Sequence, residues 1–344
     1  MRYRPFGHTG LRVSELCLGT MTFGPQWGWG ADREESRRVF DAFAAAGGNF
    51  IDTANHYTEG TSEEYVGEFI RSGRHRYVVA TKYTLSGRPE DPNAGGNHRK
   101  SLVQALEGSL RRLGTDYIDI YWVHAWDFRT PADEIMRALD DAVRAGKVLY
   151  VGVSDAPAWA VARANTLAEF RGWTAFAGLQ IQYSLVERTP ERELLPMAAA
   201  MDLAIAAWSP LGGGVLSGKY RPGQARPKDT RYSEGGWGDL FLTERNLAIA
   251  GTVSAIAGEL GRTPAQVALA WLLRRPGNAV IPIIGARNLD QLQDNLGSLD
   301  CMLDAAQEAR LEAVSAVPLG FPHDFLDLPM IRQMVHGTAA MVGG

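Results

Sequence analysis

The 344-residue chain has only two cysteines, Cys17 and Cys301, each in an apolar stretch. Two thiols cannot build the disulfide framework of a small secreted fold, and buried free thiols fit a reducing compartment. Positive charge is not in surplus either. Lys and Arg number 35 against 39 Asp and Glu, a formal net charge of −4. That leaves no basic field for nucleic acid. No window approaches the roughly 18 uninterrupted apolar residues of a membrane span. The opening residues Met-Arg-Tyr-Arg-Pro-Phe lack the apolar core of a secretory signal. A soluble cytoplasmic protein without membrane or nucleic-acid partners is expected. The seven histidines fall in no H-x-x-x-H or H-x-x-E-H spacing, and C-x-x-C is absent, so no zinc site is expected. Ser217 sits in no Gly-x-Ser-x-Gly elbow, which argues against a hydrolase.

What is present is ordinary globular composition, 45% hydrophobic and 22% charged, with abundant glycine (38) and tryptophan (nine). Eight short apolar runs read as buried strands: 16–18, 50–52, 78–81, 118–123, 148–153, 179–181, 203–208 and 279–284. Their starts lie 34, 28, 40, 30, 31, 24 and 76 residues apart. A strand–helix–strand unit takes about 30 residues, so only the last gap is long. Helix starts are marked between the runs. Asp32 and Glu35 read as a capping box. Thr130-Pro131, Thr189-Pro190 and Thr263-Pro264 each place a capping threonine before a first-turn proline. Eight units without a break in composition predict one α/β domain over residues 1–344, a closed (β/α)8 TIM barrel. The turn His8-Thr9-Gly10 predicts an N-terminal hairpin across the barrel bottom. Long loops are expected near 83–98 and 211–243, and a tail over 318–344 could cover the mouth. After the first run, Gly19-Thr20-Met21-Thr22-Phe23-Gly24 lacks the Gly-x-Gly-x-x-Gly spacing of a doubly wound dinucleotide fold.

Polar residues recur just beyond the apolar runs: Asp52 and Tyr57, Lys82, His124, Ser154-Asp155, Gln180, Trp208-Ser209 and Arg287. In a barrel these points share one rim, the C-terminal face. Asp52, Tyr57, Lys82 and His124 then form a cluster. A buried lysine needs a counter-ion, and Asp52 on the neighbouring strand supplies it. A tyrosine beside that lysine is expected to have a lowered pKa and to exchange a proton with a carbonyl oxygen.

The motifs Asp52-Thr53-Ala54-x-x-Tyr57, Thr81-Lys82 and Val123-His124 resemble the catalytic tetrad pattern of the aldo-keto reductases. Gly152-Val153-Ser154, Gln180-x-x-Tyr183-Ser184, Trp208-Ser209-Pro210-Leu211, Gly218-Lys219 and Gly285-Ala286-Arg287 with Gln291 and Asn295 extend the likeness over residues 3–317. Residues 96–102 and 113–119 look most like the aryl-alcohol dehydrogenase-like branch and the potassium-channel β-subunit relatives. The resemblance implies metal-free, NADPH-dependent reduction of a small-molecule carbonyl. Tyr57 would be the acid, tuned by Lys82 and Asp52, with His124 positioning the carbonyl. It implies a cofactor (NADPH/NADP+) site that includes Gly19, Thr20, Met21 and Asp52. Ser154, Asp155 and Gln180 would hold the nicotinamide carboxamide, and Trp208 would stack on its ring. Ser209, Pro210, Leu211, Gly213 and Lys219 would serve the pyrophosphate. Gly285, Arg287, Gln291 and Asn295 would serve the adenosine end, where an arginine suits a 2′-phosphate. The family usually carries Asn where this chain has Asp155, and an ionised Asp can only accept hydrogen bonds.

Trp27, Trp29, Trp126 and Phe128, with Trp237, would wall the substrate pocket and favour aromatic or apolar carbonyls. Two rival readings stay open: a Schiff-base aldolase using Lys82, and a cofactor-binding regulatory module. Oligomeric state is not legible.

Overall fold

Residues 1–88, 90–220, 241–275 and 280–337 are described by the structure, a computed structural model. Tyr3–Pro5 (β1) and Arg12–Ser14 (β2) pair antiparallel as the predicted hairpin. Its Phe6 ring is fully buried and meets Phe50 and Trp122 edge-on, each at 6.0 Å between centroids.

Above that plug the eight strands close into a parallel barrel. They are Cys17–Gly19 (β3), Phe50–Asp52 (β4), Val78–Tyr83 (β5), Ile118–Val123 (β6), Val148–Ser154 (β7), Phe176–Gln182 (β8), Ala204–Trp208 (β9) and Val280–Gly285 (β10). β10 pairs with both β9 and β3 and completes the ring. Around them run Arg33–Ala45 (α1), Thr61–Ile70 (α2), Arg99–Leu113 (α3), Ala132–Arg144 (α4), Ala158–Arg171 (α5) and Leu194–Ala200 (α6). Glu244–Leu260 (α7) and Pro264–Leu273 (α8) both lie between β9 and β10, within the long last gap of the sequence. Leu289–Leu296 (α9) and Ala305–Ser315 (α10) follow β10. No helix among the described residues is long and apolar enough to cross a membrane.

Most of the core lies between strands and helices, and a smaller cluster fills the barrel itself. Trp122 dominates the inner cluster, and glycines on the next two strands make room for it. A Cβ on Gly152 would stand 2.3 Å from the Trp122 ring, and one on Gly178 would stand 2.3 Å from Phe6. These small residues explain why β8 begins at Phe176 and not at 179: Ala177 and Gly178 interrupt the apolar signal while serving the interior.

The helix starts divide. Thr263 forms a full capping box with Gln266 at α8. Asp32 accepts from the Glu35 N–H, but the Glu35 carboxylate reaches away, to Leu289 N and Arg38, so the box predicted there is half formed. Pro131, not Thr130, caps α4, because Thr130 Oγ1 donates to Asp127 instead. Thr189-Pro190 opens only a 3-10 turn, Thr189–Glu191. Past α10, Arg192 donates to the Pro318 carbonyl and His323 pairs with Glu193. These tail contacts attach to the segment between β8 and β9.

Candidate active site

Strand ends position the reactive side chains. Asp52 ends β4, Lys82 sits near the end of β5, and His124 follows β6 directly. Register pairs Asp52 with Ala80 and Lys82 with Trp122, which keeps the three at one level of the barrel. Tyr57 comes from the short turn after β4, where Thr58 and Glu59 adopt positive φ. Thr58 Oγ1 donates to the Phe23 carbonyl and accepts from Ser62 N, which holds this unusual turn in place.

Lys82 Nζ is fully buried and spends its three donors on Asp52 Oδ2 at 2.5 Å, the Thr53 carbonyl at 2.8 Å and Tyr57 Oη at 3.1 Å. Gln180 Nε2 donates to the other Asp52 oxygen at 3.0 Å. Burial alone would push the Lys82 pKa down. The Asp52 carboxylate and the Tyr57 oxygen outweigh it, so the ammonium is held above its ordinary value. Burial raises Asp52, against the opposing pull of Lys82 and Gln180.

Tyr57 reverses an expectation. Its pKa is raised, not lowered: burial of the phenol is the largest effect, and the nearby Lys82 charge opposes it without winning. In this arrangement the phenol keeps its proton at neutral pH. His124 is held well below the usual histidine value by burial, by Lys82 and by His56. His56 falls to about 4 through burial and the Lys82 charge. Both imidazoles are therefore neutral at pH 7. Their rings lie 5.2 Å apart, and His124 crosses Tyr57 edge-on at 5.9 Å. Sequence reasoning missed His56. The only signal for it is its place just before Tyr57, within a turn already assigned to the site.

Trp27 meets Tyr57 edge-on at 6.3 Å and His56 at 6.1 Å, and Trp29 stands 5.9 Å behind it. These two members of the expected aromatic wall are brought to the site. Trp126 is packed into the main core, 8% exposed, and Phe128 points outward, 67% exposed, with no ring contact to the Tyr57 cluster. Trp237 lies outside the described residues.

The residues assigned to a dinucleotide ring the same mouth. Gly19 is required by packing, since a Cβ there would meet Ile283 at 2.7 Å. Thr20 ties β3 to β4 through Asp52 O at 3.0 Å, and Met21 follows it, half-buried. Ser154 Oγ is buried near Asp155 without a well-formed hydrogen bond, and His124 Nδ1 is buried without one. Asp155, at φ +44, accepts from Trp208 Nε1 at 3.0 Å. Protein surrounds it on most sides, yet solvent reaches it through the open mouth. Burial raises its pKa, while Trp208, Ser154 and Lys82 favour the ionised form.

Ser209 also lies at positive φ, and Pro210-Leu211 lead into the turn Gly212–Ser217. Gly213 and Gly214 are left-handed, and a Cβ on Gly214 would stand 2.7 Å from Lys219 Nζ. After β10, Gly285 is open, the Arg287 N–H donates to Gln291, and Asn295 donates to the Gly285 carbonyl. An orphaned buried hydroxyl, a bare glycine turn under a lysine, and an arginine on the next loop fit a pyridine dinucleotide.

A family model described as the Aldo/keto reductase family matches residues 15–316. The chain is 40% identical to a norsolorinic acid reductase of Emericella nidulans over 328 residues, which span 92% of this chain and 82% of that one. It is 37% identical to the aryl-alcohol dehydrogenase [NADP(+)] of Phanerodontia chrysosporium over 334 residues, spanning 91% and 86%. An aldo-keto reductase of Aspergillus calidoustus is 37% identical over 338 residues, spanning 94% and 85%. The barrel, the buried Asp52–Lys82–Tyr57 contact and these matches agree, and the chain belongs to the aldo-keto reductase family, an oxidoreductase of carbonyl compounds.

Proposed function

We propose that this protein is a cytoplasmic NADPH-dependent reductase of aldehydes and ketones, with Tyr57 as the acid and an aromatic or apolar carbonyl compound as substrate. The observation that carries this reading is the position of Lys82 Nζ, bonded at once to Asp52 and to the Tyr57 hydroxyl. Bound NADPH would supply a hydride to the carbonyl carbon. The chain supplies the rest. Tyr57 Oη, protonated at neutral pH, gives its proton to the carbonyl oxygen, and Lys82 stabilises the phenolate left behind. Asp52, Gln180 and the Thr53 carbonyl hold Lys82 and its counter-charge still, so little reorganisation is needed. His124, neutral, offers a hydrogen bond to orient the oxygen without adding charge.

Ser154, Asp155 and Gln180 would hold the carboxamide and Trp208 would lie against the ring. Ser209, Pro210, Leu211, Gly213 and Lys219 would face the pyrophosphate, and Gly285, Arg287, Gln291 and Asn295 the adenosine end. The relative named an NADP(+) enzyme supports the choice of phosphate-bearing cofactor. A lysine whose pKa is raised by Asp52 is a poor amine nucleophile, which disfavours the aldolase reading.

The test is oxidation of NADPH against a panel of aromatic and aliphatic aldehydes and ketones, with NADH alongside. Turnover of aryl aldehydes with NADPH at least tenfold above NADH is expected. Efficient turnover confined to phosphorylated sugars, or no turnover with any carbonyl, would overturn the assignment.

A further inference from the structure

The charges at the centre do not balance. Asp52 and Lys82 neutralise each other in a buried pair. His56 and His124 are neutral, and Tyr57 keeps its proton. What remains is Asp155, one carboxylate with no cation bonded to it among the described residues. Its only side-chain partner of ordinary hydrogen-bond geometry is the uncharged indole of Trp208. It stands close enough to act electrostatically on both Tyr57 and Lys82. Among these central groups Asp155 therefore adds one negative charge that no bonded cation offsets.

A nicotinamide ring is cationic when oxidised and neutral when reduced. We propose that Asp155 is a determinant of cofactor redox preference: its carboxylate binds the oxidised nicotinamide in preference to the reduced one. The inference rests on the dinucleotide placement proposed above, with the ring beside Trp208, and it adds a role for the acidic residue of that cradle. Two features fit. The Trp208 N–H donates to Oδ1 at 3.0 Å and orients the carboxylate beside the indole. The left-handed backbone at Asp155 is one that Asp and Asn tolerate better than other side chains. An amide there would keep the anchor and lose the charge. The consequence for the reaction is directional. Relative to an amide at the same place, the carboxylate draws the enzyme-bound equilibrium toward NADP+ and alcohol, the direction of carbonyl reduction, and slows release of NADP+.

The experiment is calorimetric titration of NADP+ and NADPH, without substrate, into the wild type and Asp155→Asn. The amide oxygen preserves the Trp208 bond, so the cradle should persist. The substitution is expected to weaken NADP+ on the order of tenfold more than it weakens NADPH, as loss of one nearby, partly screened charge would. Asp155→Gly, which suits the positive φ and also removes the charge, should lower the NADP+ to NADPH affinity ratio in the same direction. A ratio unchanged in both variants would overturn the role of Asp155 while leaving the reductase reading intact. Wild-type protein that binds neither dinucleotide would overturn both.

Discussion

Gln180 Nε2 donates to Asp52 Oδ1 at 3.0 Å, so β8 reaches across the barrel mouth to hold the carboxylate that carries Lys82. Asp52 thus has one charged donor and one neutral donor in a site closed to water. Removing the charged one leaves a buried anion. Lys82→Met is expected to destabilise the fold by about 3–5 kcal/mol at pH 7, read from urea unfolding. The deficit should shrink at lower pH. The folded-state pKa of Asp52 is already raised by burial, so protonation favours the folded form, and that benefit is lost as pH rises. A deficit that grows on acidification would contradict the assignment.

Tyr57→Phe keeps the ring and its packing and removes only the hydroxyl. Carbonyl reduction should fall by about 10²–10⁴-fold, with NADPH affinity within about twofold by fluorescence titration. Near-full turnover would remove Tyr57 from the role of acid.

His56 is held neutral at a pKa of about 4, below its ordinary 6.5. A depressed folded-state value stabilises the fold above pH 6.5, and that stabilisation is lost as pH falls toward 4. The loss is at most about 1.4 kcal/mol per pH unit. His56→Phe should therefore lose less stability than wild type between pH 6.5 and 4, as urea midpoints at several pH values would show. Parallel curves would place His56 outside this linkage.

Arg287 stands on the loop after β10, the end of the site assigned to a 2′-phosphate. Arg287→Ala should raise the KM for NADPH by tenfold or more and change that for NADH by less than about twofold. Equal losses would remove that assignment.

The interior of the barrel gives a test of the fold. Gly178→Ala sets a methyl group 2.3 Å from Phe6 and 3.1 Å from Trp122, two large rings with nowhere to retreat. A cost of about 1–3 kcal/mol is expected, measured by thermal or urea unfolding. An unchanged midpoint would mean that the Phe6 plug is loose.

The barrel was legible because buried parallel strands leave continuous apolar runs, and the candidate site because its polar residues sit at or just beyond the ends of those runs. Asp52, Lys82 and His124 announce themselves this way. Other parts leave no such mark. The Thr53 carbonyl that completes the Lys82 shell is backbone, and any residue could supply it. The direction of the Tyr57 shift depends on the contest between burial and the Lys82 charge, and a sequence names both contestants without weighing them. Phe128 follows His124 closely in sequence, but its backbone turns to φ +55 and carries the ring outward. The half-formed capping box at α1 fails for a similar reason: Glu35 is claimed by Leu289, more than 250 residues away.

Phe6, Phe50 and Trp122 stop the barrel from below. The centre is therefore a cul-de-sac, and everything that moves must share the upper opening. If dinucleotide and substrate both seat there, as proposed, they would stand between Tyr57 and the solvent, and the proton that the phenol gives up would have to be replaced through the same opening by which the products leave.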